Sequence, residues 1–338
     1  MAEPYLHLSQ QDQLEVLSVG ASRSGRPIHL LEKDVWVVWT LAALFESTVG
    51  KHLVFKGGTS LSKAYGAIRR FSEDIDVTYD IRAFAPELVQ NAGEEALPPN
   101  SSQEGKWTKA IRKKLPTWVT ETAVPILQQR LGQEKLSATV RADKDCLYLE
   151  YTAAASGYGY TAPRVMVEFG ARSTGEPCSA INVNCDVAPF VEDVIFPKAT
   201  PRVMNVDRTF WEKLTAIHVF CRTGEIKDRL ARHWYDIYML DLHGHADAAL
   251  KNKAIAEAVA KHKSWFFAGK DASGSWIDYM AAVNGGLQLV PEGTTLDALA
   301  VDYKKMVTDG LLLEEAKPFE ELIERCRAIQ DRANNPKS

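Results

Sequence analysis

The sequence predicts an α+β (α/β) fold, with a mixed sheet in the first 205 residues and a helical domain over 206–338. Three observations lead there. Around residues 52–80 the chain reads strand, glycine turn, helix, strand. Two further alternating segments follow before residue 173, and from Asp207 onward the apolar residues take helical spacing. A chain of 338 residues also exceeds the usual size of a single core, which fits two domains.

The segment DVWVVWTLAALFES, Asp34 to Ser47, carries apolar residues on a broad helical face, and Asp34 is expected to cap that helix. HLVFKGG then reads as a short buried strand stopped by Gly57-Gly58. Helical spacing at Leu61, Ala64, Tyr65 and Ile68 predicts a helix after the glycines. In EDIDVTYDI, Ile75, Val77 and Tyr79 alternate with Asp74, Asp76 and Thr78, which is strand periodicity. Residues 83–102, rich in Pro, Gly, Asn, Gln and Glu, are expected to form a loop. Helices follow from Lys106 to Thr122 and on to Leu131, with Pro116 and Pro125 at ends or kinks. CLYLEYT (Cys146–Thr152) and RVMVEFGAR (Arg164–Arg172) are strand candidates joined by a Gly/Tyr-rich link at 156–160. TFWEKLTAIHVFC, LARHWYDIYMLDLHGH and an amphipathic stretch at Phe319–Arg332 are helical, and His243-Gly244-His245 reads as a helix terminus.

Composition excludes several classes. With 46% hydrophobic and 25% charged residues the chain should bury a core and is unlike a disordered one. No run approaches the roughly 20 apolar residues of a membrane span, and MAEPYLHLSQQDQ lacks a signal peptide's basic and apolar regions, so a cytoplasmic location is expected. Five scattered cysteines without a CxxC pair argue against a disulfide framework or a thiolate zinc site. A net charge of −4 does not suggest a general polyanion binder. Nucleic-acid contact should be local, with candidates at Arg69-Arg70, at Arg112-Lys113-Lys114 and at Lys227, Arg229 and Arg232; a solvated helix face is the plainer reading of each.

Asp74 and Asp76 stand two apart on a predicted strand, so both carboxylates project from one face while Ile75 and Val77 turn to the core. Mg²⁺ takes hard oxygen ligands, commonly one or two carboxylates plus substrate phosphates, and the pair suits an NTP-Mg²⁺ (or Mn²⁺) site. Glu168 is the candidate third carboxylate, an acid set in an otherwise apolar run. Two metals there would activate a hydroxyl and stabilise displacement at the α-phosphorus. Gly57, Gly58, Thr59 and Ser60 lie between strand and helix, where backbone N–H groups and the helix dipole favour an anion such as a triphosphate; a ligand-free tight turn is the alternative. GxxxxGK[ST], a complete dinucleotide fingerprint, HExxH, GxSxG and the zinc-deaminase pattern are all missing. In the helical half, Lys213 could neutralise phosphate charge. Asp236, among apolar neighbours, needs a partner, for which Lys213, Arg232 and the nucleotide are candidates; a structural bridge between helices fits equally.

The string FKGGTSLSKAYGAIRRFSEDIDVTYD, continued in order by PRVMVEFGARS, RTFWEKLTAIH and RHWYDIYML, resembles the nucleotidyltransferase AbiEii/AbiGii toxin family of abortive-infection and type IV toxin–antitoxin systems. The likeness runs from about Asp34 to Leu242. It implies a polymerase-β-like nucleotidyltransferase domain with N-terminal helices over 1–205 and a helical domain over 206–338. It also places Gly58, Thr59 and Ser60 in the glycine/serine block, Asp74 and Asp76 in the metal pair, Lys213 at the family's lysine and Asp236 at its C-terminal aspartate. Some members add pyrimidine nucleotides to the 3′ end of tRNA and others have been linked to GTP binding; a cognate antitoxin, often a winged-helix protein, is implied as partner. Ser72 matches a serine that a kinase-like antitoxin phosphorylates in some relatives, although a hydroxyl capping the turn before the strand explains it as well. The expected activity is NMP transfer from an NTP to an RNA acceptor, the tRNA 3′ end, with Mg²⁺. The alternatives are protein nucleotidylylation and a non-catalytic nucleotide-binding regulator, the latter disfavoured by a complete carboxylate set.

Overall fold

A helical stretch that is apolar on every side must be surrounded, and Val35–Leu44, broken only by Thr40, is one. The computed structural model describes residues 2–72, 74–154 and 162–335. The chain divides into two compact units, one of residues 1–64, 72–86 and 109–203, the other of 65–71, 87–108 and 204–338.

The first unit opens with helices α1 (Gln10–Ser24) and α2 (Ile28–Phe45), the latter buried continuously from Leu31 to Leu44. Its centre is a seven-stranded mixed sheet. The strands are β1 (Leu53–Lys56), β2 (Ile75–Asp80), β3 (Ala138–Asp143), β4 (Cys146–Tyr151), β5 (Arg164–Ser173), β6 (Cys178–Ala180) and β7 (Arg202–Met204), in the spatial order β3-β4-β5-β2-β1-β7-β6. β2 pairs antiparallel with β1 and parallel with β5, and β7 lies parallel to β1. β3 and β4 form an antiparallel hairpin continued onto β5. The predicted mixed sheet with accompanying helices is therefore present.

Alternation decides which sheet face is covered. Ile75, Val77 and Tyr79 of β2, Val165, Val167 and Phe169 of β5, and Leu147, Leu149 and Tyr151 of β4 are all buried, and the registers Ile75–Val167, Val77–Phe169 and Leu147–Val167 set them on one face. Trp36 of α2 stacks on Tyr151 with centroids 5.1 Å apart, and Trp118 meets Phe169 edge-on at 5.2 Å. The opposite face, at the end of the sheet where β1 leaves, carries the polar partners of that alternation.

Between β1 and β2 the helix α3 covers only Gly57–Lys63, shorter than the spacing through Ile68 predicts. Gly66 adopts a positive φ of 58°, and residues 65–71 group with the second unit. Asp34 is not a cap. It lies inside α2, buried, with its carboxylate 2.5 Å from Lys63 Nζ and accepting the Asp186 backbone N–H at 2.6 Å. A helix-internal acid of this kind is tolerated because it is paired. After the short turns Ile81–Phe84 and Pro86–Val89, α4 (Ser101–Trp118) runs through Pro116 into a π segment, Val119–Ala123, and on into α5 (Val124–Glu134). The widened turn begins at Val119, within one turn of the proline, whose backbone donor is lost to the helix. The predicted link at 156–160 lies outside the described residues.

The second unit is helical: α6 (Val206–Thr223), α7 (Ala231–Leu242), α8 (His245–Lys251), α9 (Lys253–Phe266), α10 (Gly293–Thr308) and α11 (Phe319–Asn334). Phe210, Trp211, Leu214 and Ile217 of α6 and Trp234, Ile237, Tyr238 and Leu240 of α7 form its core, each at most 1% exposed. Gly244, at φ 78°, breaks α7 from α8 between His243 and His245, as the sequence predicts. Among the described residues no helix is long and apolar enough to cross a membrane.

Candidate active site

The predicted residues divide between the units. Gly57, Gly58, Thr59, Ser60, Asp74, Asp76 and Glu168 belong to the first, Lys213 and Asp236 to the second.

In the first unit, strand pairing lines up a transverse row on the open sheet face. Lys56 of β1 stands opposite Asp76 of β2, Asp76 opposite Glu168 of β5, and Glu168 opposite Cys146 of β4. Directly paired residues share a face, so the lysine, two carboxylates and the thiol are neighbours across four strands. Asp74 precedes β2 by one residue and is half-buried. Glu168 is exposed, so the expense of burying an acid is not what marks it; its register opposite Asp76 is. Its carboxyl is raised from the ordinary value by loss of hydration and by the negative charges of Asp76, Asp145 and Asp74, with Lys56 opposing. The neighbouring Cys146 thiol is pushed up to about 11 by burial and by Glu168, Asp145, Asp143 and Asp74.

Gly57 begins α3 at φ 79°, a left-handed conformation, and a Cβ built there would fall 2.0 Å from Asp76 Oδ2. Only glycine lets the backbone pass so close to that carboxylate. Thr59 and Ser60 are fully buried, and their hydroxyls serve the fold. Thr59 Oγ1 donates to the Asp74 carbonyl at 2.5 Å, which leaves Ser72 Oγ as the donor in its 2.9 Å contact with Thr59. Ser60 Oγ donates to the Gly57 carbonyl at 2.9 Å. The turn is thereby tied to the backbone that carries Asp74. Any ligand at this turn would meet backbone N–H groups rather than these two side chains.

Do these residues fit a divalent cation? Among the described residues no three His, Cys, Asp or Glu side chains close into a preformed ligand set. Magnesium does not demand one, since one or two protein carboxylates together with substrate phosphates are its usual complement. The donors are hard oxygens, and a carboxyl raised by neighbouring negative charge, as that of Glu168 is, is stabilised in its charged form by a bound cation. The donor chemistry fits.

In the second unit, Asp236 is 0% exposed and sits at the centre of an ion network. Arg70 grips it with both arms, Nε to Oδ1 at 2.7 Å and Nη2 to Oδ2 at 2.8 Å, and Lys213 Nζ approaches Oδ2 at 2.8 Å. Burial alone would raise this carboxyl; Arg70 and Lys213 outweigh it and hold it well below the carboxylate range. The sequence offered Lys213, Arg232 or the nucleotide as partner, and the pairing found is Lys213 with Arg70. Arg70 is 5% exposed rather than on a solvated face. Asp236 is fully enclosed, and both its carboxylate oxygens are taken up by Arg70 and Lys213.

Sequence reasoning missed Lys56, Asp143, Asp145 and Cys146, and named Arg70 only as a candidate nucleic-acid contact, not as the partner of Asp236. Lys56 directly precedes the diglycine, so its place at the turn was visible; the others become neighbours only through strand pairing or a fold-back of residues 65–71.

Residues 39–325 match the sequence model of the nucleotidyl transferase AbiEii toxin, type IV toxin–antitoxin system. The chain belongs to the AbiEii nucleotidyltransferase toxin family. Members of that family are nucleotidyltransferases that use an NTP and a divalent metal, and its type IV systems pair the toxin with an antitoxin. Among solved structures, MenT4, a nucleotidyltransferase toxin from Mycobacterium tuberculosis H37Rv, aligns over 95% of this chain and 99% of its own, with 17% identity and a TM-score of 0.40. No curated protein matches the chain in sequence.

Proposed function

We propose that this chain transfers a nucleoside monophosphate from an NTP to the 3′ hydroxyl of an RNA, with tRNA as the expected acceptor and the cytoplasm as the setting. The observation that carries the reading is Asp76, held against Gly57 on one side and opposite Glu168 on the other. Asp74, Asp76 and Glu168 would hold Mg²⁺ (or Mn²⁺), which supplies activation of the hydroxyl and charge stabilisation at the α-phosphorus. The acceptor hydroxyl gives up its proton to water as its oxygen forms the new bond to the α-phosphorus, the bond to the β-phosphate oxygen breaks, and pyrophosphate leaves. Backbone N–H groups at Gly57, Gly58, Thr59 and Ser60 would cradle the phosphates. Lys213, steadied by Asp236, would offset triphosphate charge, and Asp236 is then a positioning residue.

Incubation of the purified protein with total tRNA and each α-labelled NTP tests this; RNA should take up label, and Asp76→Ala should abolish it while the circular dichroism spectrum is retained. Uptake of label by Asp76→Ala would reject the metal assignment. A net charge of −4 favours a second reading, nucleotidylylation of a protein, and label in protein bands of a lysate rather than in RNA would select it. A non-catalytic regulator would label neither.

A further inference from the structure

The second unit exposes aromatic rings where its charge is reversed. Across 251–278, which includes the hairpin, the sequence holds five lysines, at positions 251, 253, 261, 263 and 270, against three acids, Glu257, Asp271 and Asp278, in a chain whose net charge is −4, and Lys261 pairs with Glu95. At the end of this stretch Phe267 is 44% exposed, and Trp276 is 68% exposed. Most large apolar side chains of this protein are buried, so two exposed aromatics on one short segment ask for an explanation beyond the core.

The segment is a built feature. Residues 269–277 form a hairpin, with the Ile277 N–H donating to the Gly269 carbonyl at 3.0 Å and a bridge between Lys270 and Trp276. Tyr279 Oη donates to the Phe267 carbonyl at 2.8 Å, so both aromatics belong to one hairpin and its root. The tip is folded around Asp271, whose Oδ1 accepts from the backbone N–H groups of Ser273 and Ser275 at 2.9 and 3.0 Å. Its Oδ2 accepts from Arg222 of α6 at 2.5 Å. That acid is occupied by these donors. The cations flank the rings instead, with Lys263 Nζ 4.6 Å from the Phe267 centroid and Lys270 Nζ 5.2 Å from that of Trp276.

We propose that the 269–277 hairpin and the adjoining end of α9 bind single-stranded RNA, with Trp276 and Phe267 stacking on bases and Lys263 and Lys270 meeting phosphates. Aromatic faces beside cations are the sequence-tolerant means of holding an unpaired strand, because every base has a π-face and every nucleotide a charge. The local positive balance supplies the attraction that the whole chain lacks. The inference rests on RNA being the acceptor in the activity proposed above.

The test uses the full chain, a 5′-fluorescein-labelled 12-nucleotide RNA read by fluorescence anisotropy, and the KM for tRNA in the labelled-NTP assay. Trp276→Ala and Phe267→Ala should each weaken oligonucleotide binding by roughly tenfold and raise the KM for tRNA, while Trp276→Phe keeps most of the affinity. Lys263→Gln with Lys270→Gln should lower the slope of log affinity against log salt by about 2. If the wild type labels RNA and Trp276→Ala changes neither binding nor KM, the surface is rejected and the activity stands. If the wild type labels no RNA yet binds the oligonucleotide through Trp276, the surface stands and the activity is rejected. Failure of the wild type to bind the oligonucleotide overturns the proposal. So does a wild-type dimer in sedimentation that Trp276→Ala dissociates without loss of RNA affinity, because the patch is then an interface between copies.

Discussion

Single side chains and single missing atoms set the terms of this protein's chemistry. At position 57 the absence of a Cβ lets the turn lie against Asp76, and both the left-handed φ and the 2.0 Å approach oppose any other residue. Gly57→Ala should therefore destabilise the fold by about 1–3 kcal/mol and depress nucleotide transfer further than its stability loss explains, as urea melts and the labelled-NTP assay would show together. His218 is a second case. It is 6% exposed, its Nδ1 accepts the Gln288 backbone N–H at 3.0 Å, and burial with the nearby Arg222 lowers its pKa to about 4. The folded ring stays neutral where the unfolded one takes a proton near 6.5, so its contribution is complete above 6.5 and is lost as pH falls towards 4. The loss amounts to roughly 3 kcal/mol. Melting temperatures recorded from pH 7 to pH 4 should fall, and His218→Gln, which keeps an acceptor without titrating, should flatten that dependence.

Elements were legible in proportion to how much of their pattern is local. β2, β4 and β5 declare themselves because each alternates over six or more residues, apolar inward and polar outward. β3, ATVRAD, is an edge strand whose alternation is faint, because its inward positions are two alanines and Val140, of which only Val140 is buried. β6 and β7 span three residues each, too short for a period to register. The carboxylate pair was readable from strand parity, whereas its neighbours Lys56 and Cys146 depend on register between strands, which no single stretch encodes. Asp34 misled because a buried ion pair with Lys63 and a helix cap place the same residue type near an apolar run. Capping itself can come from afar. α7 has no side-chain cap of its own at Leu230; Asp302 of α10 accepts the backbone N–H groups of Arg229 at 2.7 Å and Ala231 at 2.6 Å. A carboxylate there satisfies orphan donors and complements the helix dipole. Asp302→Ala should cost about 1–2 kcal/mol in a denaturant titration, and the loss should shrink for Asp302→Asn.

At the scale of the whole molecule, the chain leaves one compact unit for the other and returns, so neither unit is a single stretch. The residues at 65–71, read in sequence as the tail of α3, bring Arg70 to Asp236 instead, which no helical period could reveal. A fragment of residues 206–338 would keep Asp236 and Lys213 but lose the two-armed partner. Breaking a buried pair by removing one side costs about 3–5 kcal/mol, comparable to a domain's entire margin. Expressed alone, that fragment should show weak cooperativity in thermal melts compared with the full chain, and Arg70→Ala in the intact protein should reproduce part of the loss.

The eight tryptophans of this chain are unequal in one respect with a practical result. Trp211 and Trp234 are sealed at 0% exposure, while Trp276 stands 68% in water. Acrylamide collides with an indole only where solvent reaches it, so Trp276 is the most quenchable of them, ahead of the half-buried Trp118 and Trp265. The native protein thus carries its own optical probe at that spot, and a shielded Trp276 would announce an occupant without any dye.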